Sequence, residues 1–227
     1  LPNTGSLAFD GTDDRVEVPG AESLRSFTAL TIEAWAKPTG DVAGESAILG
    51  KTYDGSNWEL GLFRRPDGAA ELDWSCGGFC GYFLTSGTNA FPVGQWTHIA
   101  GTWSPAGATL YVNGNQVATG TGGVSSLANT LNVFLIGAAE LDGAPARFWR
   151  GGIDEGRIWS GVRTQAQIQA NMRSTLVGDE SGLVAYWNAE QGSGNVLSDA
   201  TSNGNHGRLG ASPDVDAADP AWSADVP

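Results

Sequence analysis

The 227-residue chain has few of the residues from which many catalytic sites are built. It contains two histidines, two cysteines and one methionine, and it has no HExxH or GxSxG sequence. Zinc peptidases and many serine hydrolases depend on those patterns. His98 lies in a strand-like run and His206 in a turn rich in Gly and Asn. We therefore interpret both as structural polar residues rather than as catalytic bases.

Basic residues are also scarce. Lys and Arg number 12 against 25 acidic residues, which gives a formal net charge of -13. A surface of this kind repels nucleic acid and anionic membranes, so we expect neither as a partner. No run of about 18 apolar residues is present, so no transmembrane helix is expected. The charge balance suits neutral ligands and hard cations.

The chain is rich in glycine, with 33 residues, and in tryptophan, with 9. Many short runs alternate apolar and polar residues between turns, as strands do when one face is buried. Asn113-Gly114 lies between two such runs and predicts a tight hairpin. Thr164 and Gln167 form a capping box, which predicts a short helix over 164–172. The sequence therefore predicts an all-β, two-sheet antiparallel jelly-roll sandwich with one short helix.

The tail, residues 182–227, is less regular than the rest. GLVAYW (182–187) predicts a strand, turn-rich sequence follows, and residues 211–222 resemble a linker that ends on Trp222. We expect the tail to dock back and complete one domain that spans 1–227. The opening LPNTG matches a sortase signal, but no apolar segment and basic tail follow it, so we interpret it as chance or as a linker.

The two cysteines, Cys76 and Cys80, lie together in CGGFC. Glycines allow such a short loop to bend far enough for a disulfide. A zinc site would need further ligands, and neither histidine is near in sequence. We predict a local disulfide and hence an oxidising, secreted setting, with two free thiols as the alternative.

Four segments resemble, in order, the laminin-G-like jelly-roll modules of bacterial secreted proteins, which belong to the concanavalin A-like lectin/glucanase superfamily. They are SLAFDGTDDRVEVPG, LTIEAWAKP, GQWTHIAGTWSPAGATLYVNGNQVATG and GGIDEGRIWSGVRTQAQIQANM. The resemblance spans nearly the whole chain and implies a jelly-roll fold. Residues 182–210 resemble the part that usually opens such a module, which implies a permuted arrangement in which the tail fills the first-strand positions.

The resemblance raises the question of glycoside hydrolysis. Some members carry a Glu-x-Asp-x-(x)-Glu run, and in retaining enzymes two of its carboxylates lie about 5 Å apart. Here Glu71 and Asp73 share a strand face, but Ser75 stands where the second Glu would be. Asp154 and Glu155 are adjacent and point to opposite sides. We therefore expect a noncatalytic protein.

Calcium is the cofactor that we expect. The turn DGTDD (10–14) offers carboxylates, and its glycine can turn a carbonyl inward. Related jelly rolls often carry a structural calcium bound by the Asp that starts the last long strand, and the resemblance places Asp154 there. The predicted ligands are Asp10, Gly11, Asp13 and Asp154. The alternative is an acidic turn without a metal.

Sugars stack their apolar faces on exposed aromatic rings, so aromatic strand residues are candidates for ligand contact. The candidate ligand-binding residues are Trp58, Arg64, Trp74, Tyr82 and Trp149. The alternative for each tryptophan is the core, where most are found. A second alternative is a rim site formed by the loops 11–14, 53–57 and 76–82, as in laminin-type modules.

Together these observations predict a noncatalytic, secreted or surface-displayed carbohydrate-binding module that is stabilised by calcium. The expected ligand is a neutral polysaccharide, and the module is expected to belong to a larger multidomain protein. The alternatives are an adhesion or spacer domain without a sugar ligand and, on weaker grounds, a polysaccharide hydrolase or lyase.

Overall fold

The computed structural model describes residues 2–41, 43–52, 58–77 and 80–227, with the backbone alone at Thr52 and Trp58. Within these ranges the chain forms 18 strands, one α-helix and a short 3-10 helix at Glu22–Leu24. The strands are β1 (Ser6–Asp10), β2 (Val16–Val18), β3 (Leu30–Pro38), β4 (Ser46–Thr52), β5 (Trp58–Arg64), β6 (Ala70–Ser75), β7 (Gly81–Thr85), β8 (Thr97–Ser104), β9 (Gly107–Val112), β10 (Asn115–Gly120), β11 (Phe134–Ile136), β12 (Ala139–Leu141), β13 (Ala144–Ala146), β14 (Arg150–Trp159), β15 (Leu183–Trp187), β16 (Val196–Leu197), β17 (Gly207–Leu209) and β18 (Ala221–Ser223).

The strands form two large antiparallel sheets that pack face to face. The first sheet has the order β10-β9-β8-β3-β14-β1-β18, and β15 also pairs with β14. The second sheet has the order β16-β17-β2-β11-β4-β5-β6-β7, and β12 and β13 form a separate hairpin. The predicted all-β jelly-roll sandwich with one short helix is confirmed.

The core between the sheets follows directly from the alternation. In β3 the fully buried Leu30, Ile32 and Ala34 point inward, and they share one cluster with Leu62 and Leu72 of the second sheet. The intervening residues of β3 lie on the opposite face of the strand. Whether a strand residue has an even or an odd number therefore decides whether its side chain points into the core or toward a surface site.

The helix α1 (Gln165–Asn171) begins at the predicted capping box, in which the Thr164 side chain accepts from the Gln167 backbone N–H. Its buried residue, Ile168, packs on Ala100 and Tyr111 on the outer face of the first sheet. The helix lies on this face because β8 and β9 present apolar side chains there that need cover.

No helix in the described part of the chain has the length and apolar character needed to cross a membrane.

The tail contributes strands to both sheets. β15 pairs with β14, β17 pairs with β2, and β18 pairs with β1. The Asp199 carboxylate accepts hydrogen bonds from the backbone N–H groups of Tyr186, Thr201 and Asn205, which fixes the turn after β15. That the tail belongs to one folding unit with the rest of the chain stays a prediction, and it can be tested.

We expect Trp187→Ala to destabilise the whole protein by about 3–5 kcal/mol, because it empties a large buried site. Trp187 is 2% exposed, stacks on Phe134 with ring centroids 5.5 Å apart, and donates to the Asn205 carbonyl at 2.8 Å. Urea unfolding followed by circular dichroism measures the change. Val177→Ala, at a side chain that is 72% exposed, is the matched control and should shift stability by less than about 0.5 kcal/mol. Equal midpoints for the two variants would show that the tail does not share the core.

Candidate functional site

An open cleft lies between β5, the β12–β13 hairpin and the turn after β1. Its volume is about 630 Å³, and its lining includes Glu45, Arg65, Leu141, Arg147 and Phe148. Gly11 also lines it. These residues come from segments far apart in the chain, so the sandwich topology alone brings them together.

The arginines of the cleft are paired with carboxylates. Glu45 lies between two arginines: Arg65 donates to its Oε1 at 3.3 Å, and Arg147 pairs with its Oε2. Arg65 also donates to Glu71 Oε2 at 2.6 Å. Two guanidinium groups thus face two carboxylates. The Arg65 side chain is 37% exposed, so it remains within reach of a ligand.

Glu71 and Asp73 form a pair of carboxyl groups on the outer face of the second sheet. Arg65 links this pair to the cleft by its hydrogen bond to Glu71. Burial, followed by the charge of Glu71 and a hydrogen bond with it, raises the pKa of Asp73 well above its usual range. Among the described residues Asp73 Oδ1 has no hydrogen-bond partner. Burial and the neighbouring Glu71 carboxylate therefore favour the protonated form of Asp73. Ser75, which is buried, takes the next position on this face.

A row of residues extends from this pair to the sheet edge. Strand register places Gly50, Gly61, Asp73 and Phe83 side by side across β4, β5, β6 and β7. Phe83 is 64% exposed at the end of the row. The sequence analysis did not select Phe83, although its register opposite Asp73 would follow from a hairpin centred on the cysteine loop.

The structure corrects the expectation that Trp74, Trp149 and Arg64 are exposed. Trp74 and Trp149 are 2% and 1% exposed, and Trp149 packs on Phe91. Arg64 is 5% exposed and donates to the Phe91 carbonyl and to Asp41. Arg64 and Trp74 belong to the interior because the even-numbered positions of β5 and β6 face the core, as Leu62 and Leu72 do. Trp149, which immediately precedes β14, is part of the same core cluster.

The two other predicted ligand contacts have different outcomes. Tyr82 is 39% exposed and stacks on Trp74 with ring centroids 6.0 Å apart, so it offers one ring face near the edge of the sandwich. The side chain of Trp58 lies outside the described residues, as does the loop 53–57. The structure brings neither Tyr82 nor the buried tryptophans into the cleft lining.

The predicted calcium ligands do not converge. Asp10 pairs with Arg150 in the β1–β14 register, so Asp154 lies four residues, about 13 Å, further along β14. Asp154 instead accepts hydrogen bonds from Asn3 Nδ2 and from the Glu155 N–H, both at 2.7 Å. Burial raises the pKa of Asp154 to about 8. The register therefore separates Asp154 from the acidic turn.

The acidic turn forms a cluster of its own. The carboxylates of Asp10, Asp13 and Asp14 lie within 4.8 Å of one another. Burial raises the pKa of Asp14 to about 6, and the charges of Asp10 and Asp13 add to the effect. Gly11 has a φ of +83°, and a Cβ there would lie 2.7 Å from Arg150 Cβ. Three carboxylates at this spacing match the oxygen ligands of a hard cation.

The predicted disulfide is confirmed. Cys76 and Cys80 are bonded, with their Cα atoms 5.8 Å apart, and the bond closes the turn between β6 and β7. It pins the strand that carries Tyr82 and Phe83 against its neighbour.

Residues 10–169 match the Laminin_G_3 family, described as the concanavalin A-like lectin/glucanases superfamily. The chain belongs to this family. Human pappalysin-1 is 35% identical over 196 residues, which cover 76% of this chain and 11% of that protein. The chain thus spans about a tenth of the length of this curated relative.

Solved structures share the fold. A Bacteroides ovatus protein suspected of binding carbohydrate has a TM-score of 0.72 at 21% identity, over 99% of this chain and 60% of that one. The CBM40 module of a Ruminococcus gnavus sialidase, bound to α2,6-sialyllactose, has a TM-score of 0.62 at 18% identity, over 75% of this chain and 97% of that one. At such identities the likeness establishes the fold.

We expect Asp73→Asn to stabilise the protein at pH 7 and to have less effect near pH 4. A carboxyl group with a raised folded-state pKa contributes stability that is present at low pH and is lost as pH rises toward that pKa. Asparagine is neutral throughout and can donate to Glu71. Melting temperatures of both proteins at pH 4, 5.5 and 7 measure the effect. Asp179→Asn, at an exposed position, is the control; a difference between Asp73→Asn and the parent that is constant with pH would contradict the expectation.

Proposed function

We propose that this chain is a noncatalytic carbohydrate-binding module that holds a neutral glycan in the cleft and along the outer face of the second sheet. The observation that carries the proposal is the open cleft of about 630 Å³, in which both arginines are paired with carboxylates. Its volume and its mixture of polar and apolar groups fall within the range of ligand sites.

The chemistry of the cleft suits sugar hydroxyls, because each hydroxyl both donates and accepts. Arg65 and Arg147 can donate, and Glu45 can accept. Phe148 and the 38% exposed Leu141 supply apolar surface for the C–H face of a sugar ring. Because both guanidinium groups are already paired with carboxylates, an anionic glycan gains little here, which favours a neutral one.

The noncatalytic part of the proposal rests on β6. Arg65 donates to Glu71, and burial together with Glu71 raises the pKa of Asp73. Ser75 stands where a glucanase would have its further carboxylate. The CBM40 relative, which was solved with a bound sialyllactose, is a binding module of the same fold. This relative supports a binding role for the present chain, but it does not show where on the chain a ligand would bind.

We further propose an extracellular location within a larger protein. The Cys76–Cys80 disulfide is typical of an oxidising compartment. The match to about a tenth of pappalysin-1 supports a module carried by a longer chain.

Affinity electrophoresis through gels containing neutral polysaccharides tests the glycan site. We expect retardation by at least one polysaccharide and a roughly tenfold weaker affinity, about 1.4 kcal/mol, in Phe148→Ala and Glu45→Gln. The first removes an apolar group, and the second turns one accepting oxygen into a donor. Leu131→Ala, at a 53% exposed side chain that does not line the cleft, is the control.

Absence of retardation by every polysaccharide tried would contradict the glycan site and favour an adhesion or spacer domain. Turnover of a polysaccharide that is lost in Glu71→Gln would contradict the noncatalytic assignment.

We also propose that calcium stabilises the module through the acidic turn, with Asp14 replacing Asp154 among the ligands. The three clustered carboxylates of Asp10, Asp13 and Asp14 support the proposal. Asp219, whose charge also reaches Asp14, has a buried Oδ1 without a partner among the described residues. A divalent ion there would offset the repulsion between the carboxylates.

Melting temperatures in EDTA and in excess calcium test the calcium site. A ligand at about 100 times its Kd adds about 2.7 kcal/mol, so we expect a clear rise for the parent protein and none for Asp13→Asn. Asp154→Asn should keep the rise, whatever its own stability. If calcium leaves the melting temperature of the parent protein unchanged, the calcium proposal is wrong. If only Asp154→Asn loses the rise in melting temperature, the site lies at Asp154.

A further inference from the structure

The strand β14 contains an irregularity on the outer face of the first sheet. Its register against β3 shifts between Asp154 and Arg157, and Glu155 adopts a φ of +54°. Such bulges re-aim a side chain, and a left-handed conformation at a residue with a Cβ costs energy that the surroundings must supply. The conformation directs the Glu155 side chain into a pocket on this face.

The pocket has a volume of about 200 Å³, and its walls include Asn3, Trp35, Glu155 and Thr175. Glu155 and Trp35 are 3% and 4% exposed, so the floor and one wall are interior groups. The Tyr186 hydroxyl donates to Glu155 at 2.8 Å and Arg157 pairs with the same carboxylate, which holds it in place.

Several polar groups of the pocket have no partner. Asn3 Nδ2 donates to Asp154, and the buried Asn3 Oδ1 has no hydrogen-bond partner among the described residues. A buried acceptor without a donor is costly. Within the same ranges, the hydroxyls of Ser174 and Thr175 make no side-chain hydrogen bond. Arg173 lies over the Trp35 ring, 5.3 Å from its centroid, and forms no ion pair with a described residue.

The pocket therefore offers an unused acceptor, unused donors and an aromatic wall in one small space. The Glu155 carboxylate disfavours anions and the Arg173 guanidinium disfavours cations. A neutral hydroxyl satisfies both sides, because it can donate to Asn3 Oδ1 and accept from Arg173 or Thr175. A volume of about 200 Å³ equals roughly six or seven waters and lies below the range of drug-sized ligand sites.

We propose that this pocket binds one neutral, hydroxyl-rich ring, that is, a single sugar residue. The site lies on the first sheet and shares no lining residue with the cleft of the second, so it does not depend on the function proposed above. Arg173 is exposed, and its displacement from Trp35 opens the ring to the ligand.

Two-dimensional ¹H–¹⁵N NMR of the tryptophan indole N–H groups tests the proposal, because Trp35 Nε1 donates to the Met172 carbonyl beside the pocket. The probes are D-glucose, D-galactose, D-mannose and N-acetyl-D-glucosamine, with glycerol, sodium acetate and ethylammonium chloride as separate arms. We expect a saturable shift of the Trp35 signal with at least one sugar, and a larger Kd for glycerol.

Asn3→Ala and Thr175→Val should each weaken that sugar about tenfold, because each removes one polar partner. Phe148→Ala, in the cleft, should leave the affinity of the pocket unchanged. The proposal for the pocket is therefore tested separately from the proposal for the cleft. Retained dispersion of the other indole signals shows that a variant is folded.

No saturable shift with any of the four sugars overturns the proposal. So does a shift with acetate or ethylammonium alone, or an affinity that neither Asn3→Ala nor Thr175→Val changes.

Discussion

The pairing of β14 with three strands from distant parts of the chain is the interaction on which the rest of the structure depends. β1 pairs with its first half, β15 with its second half, and β3 along its other edge. Each partner buries its inward side chains only when this register is held. The start of the chain and the tail are therefore brought together at one strand, and Ser6 pairs with Ser223 as a result.

Two polar networks, one associated with each sheet, differ in how deeply they are buried. On the outer face of the first sheet, Glu33, Glu155 and Arg157 form a buried network beneath the segment that follows α1. Although burial opposes ionisation, hydrogen bonding and charge from His98, with the charge of Arg157, lower the pKa of Glu33 to about 2. Because the charges are paired, their burial is tolerated and the neighbouring pocket keeps a fixed shape. On the second sheet the Arg–Glu network is partly exposed, so a ligand can compete for it.

Much of the fold could be predicted from local pattern. Alternation in β3, the capping box of Thr164 and Gln167, and the short spacing of the cysteines each have a local physical cause, and each is confirmed. The aromatic residues that contact a ligand were harder to predict. Alternation shows that a strand has two faces, but it does not show which face points into the core. The answer was present in the sequence at β6, where Trp74 has the same parity as Leu72 and so belongs to the core.

The sequence by itself determined the class of fold, the helix start, the disulfide and the family, because these depend on residues that are near one another in the chain. Only the tertiary structure decided which polar groups meet. Glu45, Arg65 and Arg147 converge from three segments. The β1–β14 register separates Asp154 from Asp10, although both are strand residues of paired strands. Such meetings depend on strand order and register, which are set by burial across the whole sandwich rather than by any local pattern.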